Sequence, residues 1–353
     1  MKVLVTGATG IVGSNLVRAL LSASHHVRVL VRRTSSLRSL KDLPIELCEG
    51  DVLEPSDLGV AAKGCTVVFH AAAIFAYWGQ AADDQKDLAV RGTRNVLEAA
   101  GRARVKRVVL TSSSVVLGST ATRHILDEAS AIEEPDPSAY TLSKLCQEKA
   151  AFEMGAKLGL DVVAVCPTLV MGAFDYRLSP SNANIVNYLN DPFRSTFIGG
   201  CNIVSARDVA NGHILAAARG TAGCRYVLGS ENLTWHETHA LISDLAGTFG
   251  PLLTLNHTAS YLAAAAAEGS ARLTGTRPIV TREEAKMSGR FYWYSHERIA
   301  KLGYKPMSAR RALAEALAWL IGRSYITDSV VGMLALAPEV LAARAQFSKR
   351  ETA

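Results

Sequence analysis

The chain begins with Met1-Lys2-Val3-Leu4-Val5-Thr6-Gly7-Ala8-Thr9-Gly10-Ile11-Val12-Gly13, the most informative stretch for its fold. Its apolar run predicts a buried strand, and the apolar spacing from Ser14 to Leu21 predicts a helix. Three glycines stand between them at G-x-x-G-x-x-G spacing. A helix N-terminus offers unpaired N–H groups and a positive dipole end, and glycines let a pyrophosphate approach the backbone. The stretch therefore predicts a dinucleotide-binding turn; a glycine-rich turn that binds nothing is the alternative.

Strand and helix patterns alternate along the chain as far as Pro167. Short apolar runs predict strands, and apolar residues at helical spacing predict helices. The predicted strands cover 3–5, 27–31, 45–47, 66–69, 108–110 and 161–166, and the predicted helices cover 14–21, 58–62, 87–100 and 139–157. This alternation predicts an α/β fold, a doubly wound parallel sheet of the Rossmann type, with a smaller, mostly helical C-terminal substrate region.

The pattern breaks after Pro167, and the break sets the predicted domain boundaries. The predicted parts are a cofactor-binding domain 1–167, to whose sheet 204–232 returns, a substrate-binding region 168–203 and 233–323, and a tail 324–353. The first part of the substrate region reads as loops with one helix near 183–189. A later helix, 234–246, is predicted to start with Thr234 and Glu237 as a capping box. We expect the tail to pack as a helix on the body or on a partner subunit; a membrane-surface or lid role is the alternative.

The composition is that of an ordinary folded protein. Of the 353 residues, 49% are hydrophobic and 20% are charged, and the formal net charge is +6. The basic residues are spread along the chain, which argues against a nucleic-acid partner, whereas a mildly basic surface suits an anionic cofactor. The six cysteines form no C-x-x-C pair, so neither a metal site nor a disulfide framework is predicted. No apolar run reaches the length of a membrane span, and removal of a leader would destroy the glycine turn, so we expect a cytoplasmic protein.

A second informative stretch is Tyr140-Thr141-Leu142-Ser143-Lys144. Residues four apart share one helix face, so the Lys144 ammonium is expected to favour the Tyr140 phenolate and lower its pKa. The hydroxyl cluster from Thr111 to Ser114 follows a predicted strand, and ligands bind at the carboxyl ends of parallel strands. A hydroxyl, a tunable phenol and a cation beside a dinucleotide predict hydride transfer to or from a carbonyl. An ordinary pair on a helix surface is the alternative.

Further motifs point to a known family. The chain carries TGATGIVG at 6–13, GDV at 50–52, FHAAA at 69–73, GTRNV at 92–96, TSS at 111–113, RDVA at 207–210, GSENLT at 229–234 and LGYKP at 302–306. Together with the Tyr140–Lys144 motif, they resemble the extended short-chain dehydrogenase/reductase family. The resemblance is greatest to the branch of dihydroflavonol reductase-like and hopanoid-associated sugar-epimerase-like proteins. It covers nearly everything up to about residue 320, and it is specific for the family but not for a substrate.

The resemblance implies roles for individual residues. Tyr140 would donate the proton, Lys144 would lower the Tyr140 pKa and hold the nicotinamide ribose, and Ser113 would be the catalytic hydroxyl. The implied cofactor contacts are Gly7, Thr9, Gly10, Ile11, Val12, Gly13, Asp51, Val52, Ala71, Ala72, Ala73, Thr111, Tyr140, Lys144, Pro167, Leu169 and Val170. Many relatives have Asn where this chain has Ala89, so whatever that side chain supports must be met otherwise. A homodimer that pairs through the Tyr–Lys helix is the expectation by analogy.

Arg32 bears on the choice of cofactor. It lies at the end of the second predicted strand, followed by Arg33, Thr34 and Ser35. An acidic residue there would bind the ribose 2′-hydroxyl of NAD, whereas Arg32 with Ser35 suits the 2′-phosphate of NADP. The alternative is that Arg32 is a solvated loop charge. NADP points to net reduction, because an epimerase or dehydratase must recover its hydride and typically keeps NAD.

The predicted substrate pocket combines aromatic residues, catalytic-site hydroxyls and the segments after Pro167. Its expected lining is Phe75, Tyr77, Trp78, Ser113, Ser114, the 168–203 loops and parts of 255–295. The aromatic residues favour a bulky, largely apolar ketone or aldehyde. The aromatic run from Phe291 to Tyr294 is either pocket lining or a core strand. Three arginines, Arg177, Arg194 and Arg290, could clamp a diphosphate, so nucleotide sugars stay open.

Three hypotheses follow for the activity. The leading one is an NADPH-dependent carbonyl reductase, or the reverse alcohol dehydrogenase, with a small-molecule substrate. The second is an NAD-dependent sugar-nucleotide epimerase or dehydratase. The third is a non-catalytic NADP sensor, which would have no need of an acid–base tyrosine.

Overall fold

The computed structural model describes residues 1–72, 82–134, 136–275, 278, 280–323 and 325–351. The predicted cofactor residue Ala73 and the predicted substrate residues Phe75, Tyr77 and Trp78 lie outside the described residues. The strands are β1 (Lys2–Thr6), β2 (His26–Val31), β3 (Glu46–Glu49), β4 (Val67–His70), β5 (Arg107–Thr111), β6 (Asp161–Pro167), β7 (Leu169–Met171), β8 (Ser195–Phe197), β9 (Gly200–Ser205), β10 (Arg225–Leu228), β11 (Glu231–Thr234), β12 (Leu253–Leu255) and β13 (Phe291–Tyr292).

Helices alternate with the strands in the first half of the chain and dominate the second half. They are α1 (Ile11–Ser22), α2 (Pro55–Ala62), α3 (Ala82–Arg102), α4 (Ala139–Leu158), α5 (Pro180–Asn190), α6 (Ala206–Arg219), α7 (Trp235–Ala246), α8 (His257–Thr274), α9 (Arg282–Ala285), α10 (Glu297–Ala300), α11 (Ala309–Leu320), α12 (Asp328–Val331) and α13 (Pro338–Glu351). Among the helices described, none has both the length and the hydropathy needed to cross a bilayer.

Seven strands form one parallel sheet, in the order β3-β2-β1-β4-β5-β6-β10. Successive side chains of a strand face opposite sides. Val3 and Val5 therefore join a core with α1 and α6, while Leu4 joins the core on the other face, with α2, α3 and α4. The strand order reverses between β1 and β4, which is where such sheets bind ligands. The predicted α/β, Rossmann-type fold is confirmed.

The segment 168–203 contains more regular structure than its loop-like sequence predicted. The expected helix is present as α5, but β7, β8 and the start of β9 lie in the same segment. These strands pair with distant partners: β9 with β7, β11 and β13, and β8 with β12. The loop prediction was therefore wrong for these strands, because pairing between segments far apart in sequence stabilises them.

The segment 204–232 divides between the large parallel sheet and a smaller sheet formed by β7, β9, β11 and β13. Helix α6 packs against α1, and β10 pairs with β6 at the edge of the large sheet. The ends of the segment belong to β9 and β11, which pair with each other. The capping box of α7 is confirmed, because the Thr234 and Glu237 side chains each accept the other's backbone N–H.

The C-terminal region packs around α11. This helix is almost entirely buried, and its core includes residues of α5, α7 and α13. The Trp319 ring lies 5.2 Å from the Phe174 ring and 6.0 Å from the Phe347 ring of α13. The tail helix thus packs on the body of the protein. In the aromatic run, Phe291 and Tyr292 form β13, and Tyr294 is buried in a core.

Candidate active site

The glycine turn joins β1 to α1 at the carboxyl edge of the sheet. Gly7 has a φ of 71°, and a Cβ on it would lie 2.5 Å from the backbone of Ala71. A Cβ on Gly13 would lie 2.2 Å from the oxygen of Gly7. The packing of the protein itself therefore requires both glycines. Gly10 differs, because its Cβ would make only an ordinary 3.7 Å contact, so the space beside it is open for a ligand.

The first turn of α1 is prepared for an anion. No side chain caps the helix, and its first turn contains no acidic residue. The N–H groups of Ile11, Val12 and Gly13 have no acceptor within the helix. An uncapped positive helix end beside open space fits a pyrophosphate. The predicted cofactor contacts thus lie together in this turn: Thr9, Gly10, Ile11, Val12 and Gly13.

Replacing two of these glycines should separate cofactor binding from folding. We expect Gly10→Ala to weaken NADPH binding on the order of tenfold, or about 1.4 kcal/mol, because the methyl group occupies the open space. Its stability should fall by less than about 1 kcal/mol, the effect of alanine at an N-cap. Gly13→Ala should instead destabilise the fold by about 1–3 kcal/mol, because its methyl group overlaps backbone atoms. Fluorescence titration with NADPH and urea unfolding test this pair. Unchanged NADPH affinity in Gly10→Ala would place the pyrophosphate elsewhere.

The adenosine end of the predicted site lies at the ends of β2 and β3. The N–H of Gly50 donates to the oxygen of Val31 at 2.9 Å, which holds the two strand ends together. Asp51 accepts the Leu53 N–H at 3.0 Å, so its carboxylate is oriented by the local backbone. The predicted contacts Val52, Arg32 and Ser35 lie in the same two strand-end segments.

Two neighbouring arginines differ at this strand end. The Nε of Arg33 donates to Glu49 at 2.8 Å, so this guanidinium already has an anionic partner. The exposed Arg32 side chain forms no hydrogen bond or ion pair with any residue that the structure describes. Arg32 is therefore the arginine available to an external anion.

Ser113 and Tyr140 are brought together by two separate capping arrangements. Ser113 precedes a short 3-10 helix (Ser114–Leu117), and its Oγ accepts the Val115 N–H at 3.5 Å. Helix α4 begins at Ala139, where the Oγ of Ser138 caps it by accepting the Thr141 N–H at 3.2 Å. Tyr140 therefore lies in the first turn of α4, and its phenol forms a hydrogen bond with Ser113.

The environment of Tyr140 raises its pKa. Burial disfavours the phenolate, and the hydrogen bond from Ser113 acts in the opposite direction but is the smaller effect. This direction is opposite to the one predicted from the Tyr–Lys spacing. Two acceptors hold the Lys144 ammonium: the Thr111 oxygen at 2.9 Å and the Gln147 Oε1 at 3.0 Å.

Lys144 is itself strongly affected by burial. Desolvation lowers the pKa of its ammonium to about 8, while nearby Cys166 and Glu148 act in the opposite direction. Its proton can therefore be lost near the upper end of the physiological range. Burial thus favours the uncharged form of both groups, but an ammonium with a pKa of about 8 still keeps its proton at neutral pH.

The other predicted residues around this site face different partners. The Thr111 hydroxyl is 2.8 Å from the Nε2 of His213, so its side chain faces α6 while its carbonyl oxygen faces Lys144. Ser114 forms a hydrogen bond with Tyr294. The Ser114 hydroxyl thus already has a partner within the protein, and its contact with the substrate stays a prediction.

The remaining cofactor segments lie at neighbouring strand ends. The N–H groups of Ala71 and Ala72 donate to the backbone oxygen and the Oγ1 of Thr6, at 3.2 and 3.3 Å. Pro167 ends β6, and Leu169 and Val170 begin β7. Parallel register aligns the ends of β1, β4, β5 and β6. These segments therefore line one edge of the sheet.

Several buried polar residues near the site received no role from the sequence. They are Thr6, His70, Thr93, Gln147 and His213, and each is at least nine-tenths buried. The sequence could have indicated a role for Gln147, because it lies three residues after Lys144 and shares its helix face. The others become significant only through their partners across the sheet.

Two of the three arginines considered for a diphosphate clamp are engaged by the protein. Arg290 donates to the Ser119 oxygen at 2.7 Å and forms an ion pair with Glu134 at 3.3 Å. Arg194 is buried and donates to the Tyr188 oxygen at 2.9 Å. The third, Arg177, is exposed.

Comparison with known proteins gives a consistent picture. The model of the NAD dependent epimerase/dehydratase family matches residues 3–229. The chain is 34% identical to a "Putative dihydroflavonol 4-reductase" of Synechocystis sp., over 91% of this chain and 95% of that protein. It is 30% identical to "Sterol demethylase protein B" of Methylococcus capsulatus, over 92% of this chain and 100% of that protein.

Solved structures share the same fold. The crystal structure of gox2253 has 34% sequence identity and a TM-score of 0.81, over 92% of this chain and 99% of that chain. DesIV, a dTDP-glucose 4,6-dehydratase from Streptomyces venezuelae with NAD and TYD bound, shares the fold at 23% identity, with a TM-score of 0.70 over 94% of this chain and 100% of its own. The resemblance seen in the sequence is thus confirmed. The chain belongs to the NAD-dependent epimerase/dehydratase family, whose members bind a nicotinamide cofactor, within the extended short-chain dehydrogenase/reductase superfamily.

Proposed function

We propose that this protein is an NADPH-dependent carbonyl reductase that acts on a ketone or aldehyde of a bulky, largely apolar substrate. The observation that carries the proposal is the hydrogen bond between the buried Ser113 and the partly buried Tyr140, with Lys144 on the same helix face. A partly buried phenol that keeps its proton at neutral pH is suited to donate that proton to a developing alkoxide.

Each residue of this group has a distinct task in the proposed reaction. NADPH, when bound, supplies the hydride. The hydroxyls of Ser113 and Tyr140 bind the substrate oxygen and polarise the carbonyl, and Tyr140 gives up its proton to that oxygen. Lys144 has three N–H donors and uses two of them on Thr111 and Gln147. Its third donor is available to a ribose hydroxyl, and its charge stabilises the phenolate left on Tyr140.

The strand-end arginines support NADPH over NADH. Arg33 is paired with Glu49, whereas Arg32 has no partner in the described part of the chain. An unpaired guanidinium at this position suits a ribose 2′-phosphate, with which it can form charge-assisted hydrogen bonds. NADPH, in turn, favours a role in net reduction.

The substrate class is supported by the use of the arginines and by the relatives. Of the three arginines considered for the diphosphate of a nucleotide sugar, Arg290 and Arg194 are held by protein groups, and Arg177 alone is left exposed. Dihydroflavonol and sterol, in the names of two relatives, are both polycyclic compounds. We therefore place a polycyclic or similarly bulky carbonyl compound first.

A cofactor and substrate panel tests the proposal. The purified protein is incubated with NADPH or NADH and with polycyclic ketones, dihydroflavonols, aliphatic ketones and aldehydes, and cofactor oxidation is followed by absorbance. We expect NADPH oxidation with a bulky carbonyl compound. Tightly bound NAD after purification, without net NADPH consumption, would instead indicate an epimerase or dehydratase. Tight NADPH binding without any turnover would indicate a sensor.

The pH dependence of the rate follows from the pKa shifts of Tyr140 and Lys144. The raised pKa of Tyr140 keeps its proton available through neutral pH, so carbonyl reduction should be nearly independent of pH there. Lys144 loses its charge as the pH rises through about 8, and with it the stabilisation of the phenolate that forms. We expect kcat for reduction to fall above that pH. A kcat that increases through this range would contradict the assigned direction of proton transfer.

A further inference from the structure

The Lys144 ammonium is held in place by one side chain and one backbone oxygen. It donates to Gln147 at 3.0 Å and to the carbonyl oxygen of Thr111 at 2.9 Å. Lys144 and Gln147 are 4% and 2% exposed. Because water has little access, losing the Gln147 oxygen would leave a buried N–H donor without an acceptor. Gln147 is thus the side chain on which the position of this charge depends.

A continuous chain of hydrogen bonds leads from Gln147 across the sheet. Its Nε2 donates to the Thr93 Oγ1 at 3.0 Å, and this hydroxyl is 3.1 Å from the Nε2 of His70. The Nδ1 of His70 is 2.8 Å from the Thr6 Oγ1, which also accepts the Ala72 N–H at 3.3 Å. The four side chains are at most 2% exposed. The chain therefore connects α4, α3, β4 and β1 through buried polar groups alone.

This chain ends at the base of the glycine turn, because Thr6 directly precedes Gly7. We propose that Gln147 is the positioning residue of the acid–base site, holding the Lys144 ammonium in a fixed place relative to the glycine turn through Thr93 and His70. The inference rests on the proposed function and extends it to a residue that touches neither substrate nor cofactor. In this proposal, the Gln147 amide links the glycine turn to Lys144 and so to the proton donor Tyr140.

The neutral charge of Gln147 is part of this role. A carboxylate in its place would form an ion pair with Lys144 and would remove the N–H that Thr93 accepts. The titratable groups that face Lys144 from neighbouring elements are Tyr140 and Glu148 on α4, Cys166 on β6, His70 on β4 and His213 on α6, behind Thr111. Glu148 is paired with Arg225 at 2.6 Å, and burial lowers the pKa of His70 to about 3, so His70 is neutral.

The Lys144 ammonium is therefore not paired directly with an anion. Across the described residues, no carboxylate oxygen lies within ion-pair distance of the Lys144 nitrogen. Its field remains available to the Tyr140 phenolate and to a ribose hydroxyl. An amide is the side chain that can hold the ammonium without cancelling its charge.

Two substitutions test the proposal. Gln147→Leu keeps the approximate volume but removes both hydrogen bonds, and we expect kcat to fall about tenfold or more, since a hydrogen bond to a buried charge is lost. Gln147→Glu keeps an acceptor but adds a charge, which favours the ammonium form of Lys144. We expect the loss of kcat at alkaline pH to move to higher pH in this variant. Thr238→Val, which removes a buried hydroxyl bonded to the Thr234 oxygen at 2.9 Å, is the control for a purely structural loss.

A second measurement separates this proposal from the proposed function. The Lys144 Nζ is titrated by NMR in protein labelled with ¹⁵N-lysine, assigned by its absence in Lys144→Met and recorded without any carbonyl substrate. We expect its titration to move to higher pH in Gln147→Glu and to stay unchanged in Thr238→Val. This result would hold even if no carbonyl were reduced. An unmoved titration in Gln147→Glu, or a wild-type kcat in folded Gln147→Leu, would overturn the positioning role while leaving the reductase proposal intact.

Discussion

Replacing Tyr140 with phenylalanine is expected to reduce carbonyl turnover by roughly 10³-fold while leaving NADPH affinity within about twofold. The substitution removes one oxygen atom, the proposed proton donor, from a partly buried position where Ser113 is its hydrogen-bond partner. Without it, the alkoxide that forms during reduction has no acid to protonate it and loses one of two hydroxyl donors. Steady-state kinetics with NADPH, and fluorescence titration of NADPH binding, give the two values.

The matched control for this variant is Tyr188→Phe. Tyr188 is buried, and its hydroxyl, like that of Tyr140, forms a hydrogen bond with a serine, lying 2.7 Å from the Ser243 Oγ in the C-terminal core. Losing this hydrogen bond should cost about 1 kcal/mol of stability and leave kcat unchanged. If Tyr140→Phe kept kcat within about threefold of the wild type, Tyr140 would not be the proton donor. A large loss in both variants would instead indicate that stability limits the assay.

Replacing Arg32 with glutamate is expected to reverse the cofactor preference. NADPH affinity should fall on the order of 100-fold, because charge-assisted hydrogen bonds to the 2′-phosphate are replaced by repulsion between like charges. NADH affinity should be unchanged or higher, since a carboxylate at this strand end can accept the ribose 2′-hydroxyl. Titration of both cofactors into the variant and the wild type measures the change in their ratio.

The neighbouring Arg33 provides the control. Arg33→Glu makes the same change in net charge one residue away, at a side chain already paired with Glu49 at 2.8 Å. We expect it to alter NADPH affinity by less than about threefold, because exposed charges are screened by salt. Equal losses in the two variants would show a general effect of surface charge. No loss in Arg32→Glu would make Arg32 the solvated loop charge that the sequence left as an alternative.

Local sequence patterns predicted most of the first 167 residues. The central sheet strands lie within about two residues of their predicted bounds, because their buried apolar runs are local signals. The same holds for α4, which Ser138 caps, whereas α1 begins at Ile11, three residues before its predicted start. The segment 168–203 was predicted less well. Its strands β7 and β9 are stabilised by pairing with segments distant in sequence, which no local pattern records.

The candidate site shows the same division. The i, i+4 spacing placed Tyr140 and Lys144 on one helix face, and the structure adds the Ser113 hydrogen bond. The spacing predicted a lowered Tyr140 pKa, but burial raises it, and the depth of burial is a property of the whole fold. The roles assigned to these residues, and to the glycine turn, stay predictions that the variants above test.

The glycine turn, the alternation of strands and helices, the Tyr–Lys helix and the family were all predictable from the amino-acid sequence. These features depend on residues that are close in the chain, where steric limits and helical periodicity act directly. The packed fold alone shows that Arg33 at the end of β2 is already paired with Glu49, and that the Gln147 amide reaches Thr93 on α3. Those partners come from elements far apart in sequence, and the contacts between them exist only once the sheet and its covering helices have packed together.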